Sequence, residues 1–137
     1  MGEAEAAMAC LRQAAQSQGC FGELFEINEE KCIYRPWFTT ANGIYMEAVH
    51  SLLLQSRPGE IRLLPAWPQG EGDVSFRLPA EGDLMVDAQI KDGKLQTLAL
   101  IPGPRCDLKE VSIRLPAWLD RTSARVEGHG LARTSSR

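Results

Sequence analysis

The chain has 137 residues, of which 44% are hydrophobic and 24% charged, with a formal net charge of −3. That length suits one domain with a modest core, and the acidic balance argues against a nucleic-acid partner, which needs a concentrated basic face. No window approaches the ~18 consecutive apolar residues of a transmembrane helix, so no membrane partner is expected.

The opening residues, "MGEAEAAMACLRQ", place Glu3 and Glu5 where a secretory signal carries positive charge. Ala6 stands where the myristoylation pattern needs Ser or Thr. No export signal is therefore read, and no location is assigned. Residues 3–17 predict a helix: Ala4, Ala7, Met8, Leu11, Ala14 and Ala15 recur at helical spacing and Gly19 follows as a cap. Its apolar face is mostly alanine, which needs close packing against another helix.

"CFGELFEINEEKCIYRPW" (residues 20–37) gives no clear period; Phe21, Leu24, Phe25 and Ile27 fit either a short helical turn or an irregular buried segment. Pro36 ends it and disfavours helix at Arg35. "TTANGIYMEAVHSLLLQS" predicts the main helix, capped by Thr39, Thr40 or Asn42. Ile44, Ala48, Val49, Leu52 and Leu53 form its buried stripe, which Tyr45 and Met46 widen. "RPGE" (Arg57 to Glu60) is expected to stop the helix and turn the chain.

Beyond it the apolar period falls to two. "EIRLLPAW", "DVSFRLPA", "DLMVDAQI", "LQTLALI" and "EVSIRLPAW" predict about five short strands, paired mainly as antiparallel hairpins with one face buried and one wet. Asp92-Gly93 is a strong hairpin turn signal because both central residues need positive φ. Arg121, Arg125, Arg133 and Arg137 lie among Ser, Thr and Gly and read as a frayed tail rather than a binding arm. The fold class expected is α+β, divided into a helical segment (1–56), an antiparallel β domain (57–120) and a flexible tail (121–137).

Chemistry-bearing motifs are sparse. Cys10, Cys20, Cys32 and Cys106 form no C-x-x-C pair, and His50 and His129 stand at no ligand-like spacing to them. No metal is expected, and the thiols read as free and mostly buried, with a Cys20–Cys32 bridge left open. "GEGD" at 70–73 is a turn, since it lacks the Lys and helix of a phosphate loop; no cofactor is expected. Glu23, Glu26, Glu29 and Glu30 cluster in "GELFEINEE", and Glu23 and Glu26 would share a face on a helix, but such runs are usually solvated. Glu47 and His50 stand three apart on the main helix, a placement that suits surface or packing roles. Trp37, Trp67 and Trp118 each adjoin a proline at an element boundary, which suits sealing of the core more than stacking on sugars.

"SLLLQSRPGEIRLLPAWP" followed by "MVDAQIKDGKLQTLALI" resembles the C-terminal part of glycoside hydrolase family 95, the α-L-fucosidase and α-L-galactosidase family, over about residues 38–101. In that family a last barrel helix ends in "LLQS", a "GEI-x-LLPA-x-P" segment follows, and a "KDGKL" hairpin comes next. The resemblance implies the end of an α/α barrel-like region followed by a small antiparallel β-sandwich. A whole barrel of twelve helices needs about 200 residues at ordinary helix and loop lengths, more than this chain has.

The resemblance also bears on catalysis. The family's segment before the helix reads approximately "D-G-N-F-G", and its Asp helps to activate the attacking water. The matching residues here are Thr40-Ala41-Asn42-Gly43, so Asn42 is kept but Thr40 stands at the Asp position. A neutral hydroxyl does not replace a carboxylate as a base at neutral pH. No segment matches the family's general acid, and an inverting glycosidase needs both groups about 6.5–9.5 Å apart. The expectation is a fragment or degenerate member, inactive alone, whose β domain braces a barrel. Asn42, Trp37 and Thr40 are the candidate substrate-binding residues, bracketing the helix start where the family's cleft lies. A carbohydrate-binding β module, and an interaction domain that self-associates or takes a partner chain through its helices, remain the alternatives.

Overall fold

The structure, a computed structural model, describes residues 3–17, 26–27, 33–35, 39–120, 125–128 and 132–134. It is an α+β arrangement. Helix α1 (Glu3–Ser17) comes first, then the short strands β1 (Glu26–Ile27) and β2 (Ile33–Arg35), then helix α2 (Thr39–Leu53). Eight strands follow: β3 (Leu54–Arg57), β4 (Glu60–Leu63), β5 (Val74–Ala80), β6 (Leu84–Lys91), β7 (Lys94–Pro102), β8 (Val111–Arg114), β9 (Arg125–Gly128) and β10 (Ala132–Thr134). They form two four-stranded sheets, in the orders β10-β8-β4-β3 and β5-β6-β7-β9, while β1 and β2 pair with each other.

The helix stops earlier than "RPGE". Leu52, Leu53 and Leu54 are only 5%, 8% and 2% exposed. Three consecutive helical residues span about 200° of circumference, wider than an apolar stripe of about 100°. Turning to strand at Leu54 lets the third leucine enter the same core. The freed carbonyls at the helix end are met from elsewhere: Leu64 N–H donates to Leu53 O at 2.8 Å and Ala66 N–H to Leu52 O at 3.4 Å. Pro58 and Gly59 instead form the turn of the β3–β4 hairpin, where Gly59 takes φ +76°.

The five strands expected from alternation are all present, and their inward positions are those the pattern marked. Ile61, Leu63, Leu84, Val86, Ala88, Ile90, Val111 and Ile113 are buried. Asp92 and Gly93 both take positive φ, 51° and 69°, at the β6–β7 turn. Strands β5, β6 and β7 make an antiparallel meander. β4 makes an antiparallel hairpin with β3, but on its other side it pairs with β8 in parallel, which hairpin pairing does not give. The chain leaves β4, builds the meander in the other sheet and returns to lie beside β4 in the same direction. Two further parallel pairs, β7 with β9 and β8 with β10, use residues 125–128 and 132–134, which were expected in a flexible tail.

One core joins these parts. Leu53 and Leu54 lie in the same buried cluster as Ile61 and Ile113 of one sheet and Val86, Ile90 and Leu98 of the other. Trp67 and Trp118 pack against its rim. The stripe of α2 departs from expectation at one end, since Ile44 is 65% and Met46 72% exposed. On α1, Met8 is buried, while Ala14 is exposed. Truncation should read out this asymmetry. Ile113→Ala, at a fully buried site, is expected to cost about 2–5 kcal/mol of unfolding free energy in urea titration. Ile44→Ala should stay within about 0.5 kcal/mol, as for ordinary surface changes.

Candidate functional site

Helix α2 and the strands that follow it carry most of the surface features. Of the residues marked from sequence, Thr40 and Asn42 lie within the first turn of α2. Asn42 is half-buried and inside the helix, so it does not cap it. Trp37 lies outside the described residues, so the structure does not bring the three together. Glu26 is in strand β1, opposite Arg35, which removes the helical face it was to share with Glu23; Glu23, Glu29 and Glu30 lie outside the described residues.

Two grooves flank α2. One, of about 640 Å³, runs between α2 and β5 and is lined mainly by apolar side chains, among them Tyr45, Met46, Val49, Leu53 and Leu78. The other, of about 490 Å³, is polar: Glu47, His50 and Ser51 form one wall, Gln55, Arg57, Glu60 and Arg62 another, and Pro79, Ala80 and Glu81 a third. Ser56 Oγ accepts the Glu81 N–H at 2.9 Å, tying the two sheets together beside this groove. Glu47 and His50, three apart in sequence, thus face a common space with the β3–β4 hairpin.

The most organised charges lie on the hairpin and β8. Glu60 accepts from Arg62 Nε at 2.9 Å through Oε1 and meets Arg114 Nη2 at 3.0 Å through Oε2. The hydrogen bond from Arg62, with the nearby charges of Arg114 and Arg57, holds the Glu60 carboxyl below its ordinary value of 4.5. Sequence reasoning missed this cluster. Alternation in "EIRL" and "VSIR" puts Glu60, Arg62 and Arg114 on the wet side, but only the parallel β4–β8 register brings them together.

Among the described residues no group of His, Cys, Asp or Glu is arranged to hold a metal ion. No described helix is long and apolar enough to cross a membrane. Cys10 is exposed and Cys106 half-buried, both free, so Cys10 departs from the expected burial; Cys20 and Cys32 lie outside the described residues. Comparison with protein-family models, with curated proteins and with solved structures gave no match.

The Glu60 cluster has a signed consequence for stability against pH. A carboxyl whose folded value is depressed stabilises the fold above its unfolded value, and loses that contribution as pH falls through the folded value. The difference in urea midpoint between the native chain and Glu60→Gln should therefore be largest above pH 4.5 and shrink as pH falls below it. A difference that stays constant through that range would remove Glu60 from the account.

Proposed function

We propose that this chain is a structural module of the family 95-like lineage. Its two sheets are the counterpart of that family's C-terminal β-sandwich, and α2 is the counterpart of a terminal helix of an α/α barrel. The β part braces a helical neighbour rather than performing catalysis. The reading is supported by the order of three sequence blocks, "LLLQS", "GEIRLLPAWP" and "KDGKL", and by Thr40 at the position where the family has its Asp.

The observation that carries it is the two-sidedness of α2. Its C-terminal end, Leu52 and Leu53, is sealed into the β core. Its N-terminal half presents Ile44 and Met46 outward, and Met46 borders the apolar groove that Tyr45, Val49 and Leu78 continue. Exposed apolar side chains beside an apolar groove mark contact surfaces. The occupant proposed is a neighbouring barrel helix, whose apolar stripe is the natural complement of such a surface.

The test combines solution mass with hydrolysis of aryl α-L-fucoside and α-L-galactoside. The chain alone is expected to show no turnover. Without a helical neighbour its α2 face should drive concentration-dependent self-association, weakened by the Ile44→Lys, Met46→Lys double variant at unchanged circular dichroism. Turnover that survives purification and disappears in Glu47→Gln or His50→Ala would overturn the structural reading. Association indifferent to the double variant would overturn the α2 contact.

A further inference from the structure

Strand β5 is the outermost strand of its sheet, in the order β5-β6-β7-β9. Which of its backbone groups face that free edge follows from the turn that closes the next hairpin. Asp92 and Gly93 form a two-residue turn, so the flanking Lys91 and Lys94 exchange both backbone bonds. Bonding direction alternates along a strand, so Ile90 points its N–H and C=O the other way, toward β5. Its partner Val74, and with it Phe76, Leu78 and Ala80, therefore bond to β6. Ser75, Arg77 and Pro79 are left facing outward, and all three are exposed. Glu81, next in this outward set, agrees with the parity: its N–H donates to Ser56 Oγ on β3 at 2.9 Å. Among the described residues no strand pairs with this edge. Pro79 stands where its missing N–H costs the sheet no bond, as edge strands allow. The inner face is incomplete in the same place. Leu84, Val86, Ala88 and Ile90 of β6 are buried, whereas the β5 residues opposite them are only half-buried.

We propose that this edge pairs with the same edge of a second copy of the chain, as an antiparallel β5–β5 contact about a twofold axis at Phe76. Outward-facing residues must meet outward-facing residues, so only registers that set one residue opposite its own copy keep the hydrogen bonds. Two such registers overlap the strands well. Centring on Arg77 sets two guanidinium groups against each other and sets Ser75 against Pro79, which has no N–H to give. Centring on Phe76 instead sets Ser75 opposite Arg77 of the second copy, each pair exchanging both bonds. Phe76 then lies against Phe76 of the second copy and Val74 against Leu78, as close pairs that complete the cover of the half-buried row. Arg77 brings no free charge to the contact, because its Nε donates to Asp87 on β6 at 2.8 Å. That pairing removes the repulsion by which a charged residue guards an edge strand. The contact ends at Glu81, whose N–H is already taken by Ser56. A foreign extended segment would find the same backbone bonds, but the row Val74, Phe76, Leu78 is complementary to itself about Phe76. The contact lies in the plane of the sheet and does not depend on the bracing role of α2.

The experiment is sedimentation equilibrium of the full chain carrying Ile44→Lys and Met46→Lys, which removes the α2 contact and leaves β5 as it is. A discrete dimer is expected. Ser75→Pro, added to that chain, deletes an outward N–H on each side of the axis and touches no bond to β6. It should raise the dimer dissociation constant roughly tenfold or more at unchanged circular dichroism. Ser75→Lys keeps the N–H but sets a cation opposite Arg77 of the second copy. It should weaken the dimer in the same direction, and most at low salt. With Ser75 in place, amide exchange of Arg77 followed by NMR should slow as concentration rises, because that N–H enters the contact. Monomer at every concentration up to millimolar, a dimer equally strong in both Ser75 variants, or Arg77 exchange independent of concentration would each overturn the inference. The first of these leaves the α2 contact standing, since loss of association on Ile44→Lys, Met46→Lys is what that contact predicts.

Discussion

The rest of the structure depends on the burial of three successive leucines at the junction of α2 and β3. Helix geometry cannot turn Leu52, Leu53 and Leu54 toward one layer, so the backbone changes type between the second and the third. That change fixes where α2 ends and which way β3 leaves it. The backbone bonds from Leu64 and Ala66 to the last helical carbonyls then fold β4 back on the junction. Leu64 adopts φ +52° at this point, costly for a side chain of its size. It is tolerated because Leu64 is itself only 1% exposed and its N–H is bonded. Helix and sheets share one core through this joint, which seals the C-terminal end of α2 against the strands.

Much of this was legible in the sequence, and for identifiable reasons. Period-two alternation marks a strand that is buried on one side, and all five segments showing it are strands. Asp92-Gly93 specifies its own turn because few other pairs accept two positive φ angles in succession. What alternation does not encode is which strand lies beside which. The parallel β4–β8 pairing joins residues far apart in sequence and needs a long crossover, and nothing local announces it. The helix end was misplaced for a related reason. Pro58-Gly59 is a turn signal in either context, and only the depth of the core decides that strand β3 already separates it from α2.

The candidate sites show the same limit more sharply. The resemblance sets Thr40 and Asn42 in the segment before the helix, whereas both lie inside α2, and a helical position alone supplies no chemistry. The charge cluster around Glu60 is the reverse case. Each member taken singly is a polar residue on the wet side of its strand, and the organisation exists only through cross-strand register. Ile44 belongs to an apolar stripe by spacing, yet it is exposed, because α2 leans on the strands through its C-terminal half. Helical periodicity identifies a face but not how much of its length a neighbour covers.

Two surfaces of this chain use different physics: the apolar groove beside α2 and the charged wet face of β3, β4 and β8. Apolar contact along α2 scales with the area removed from water and has little directional preference. It suits a permanent neighbour whose position is already fixed by the chain. Arginines on a flat sheet face contribute less affinity per contact, but they discriminate by charge and lose strength with salt. Glu60 is central to that difference. By holding Arg62 and Arg114 side by side it makes two like charges tolerable on neighbouring strands. An apolar substitution at Glu60 would free the arginines but lose their orientation. The order of this face therefore depends on a negative residue placed between two positive ones.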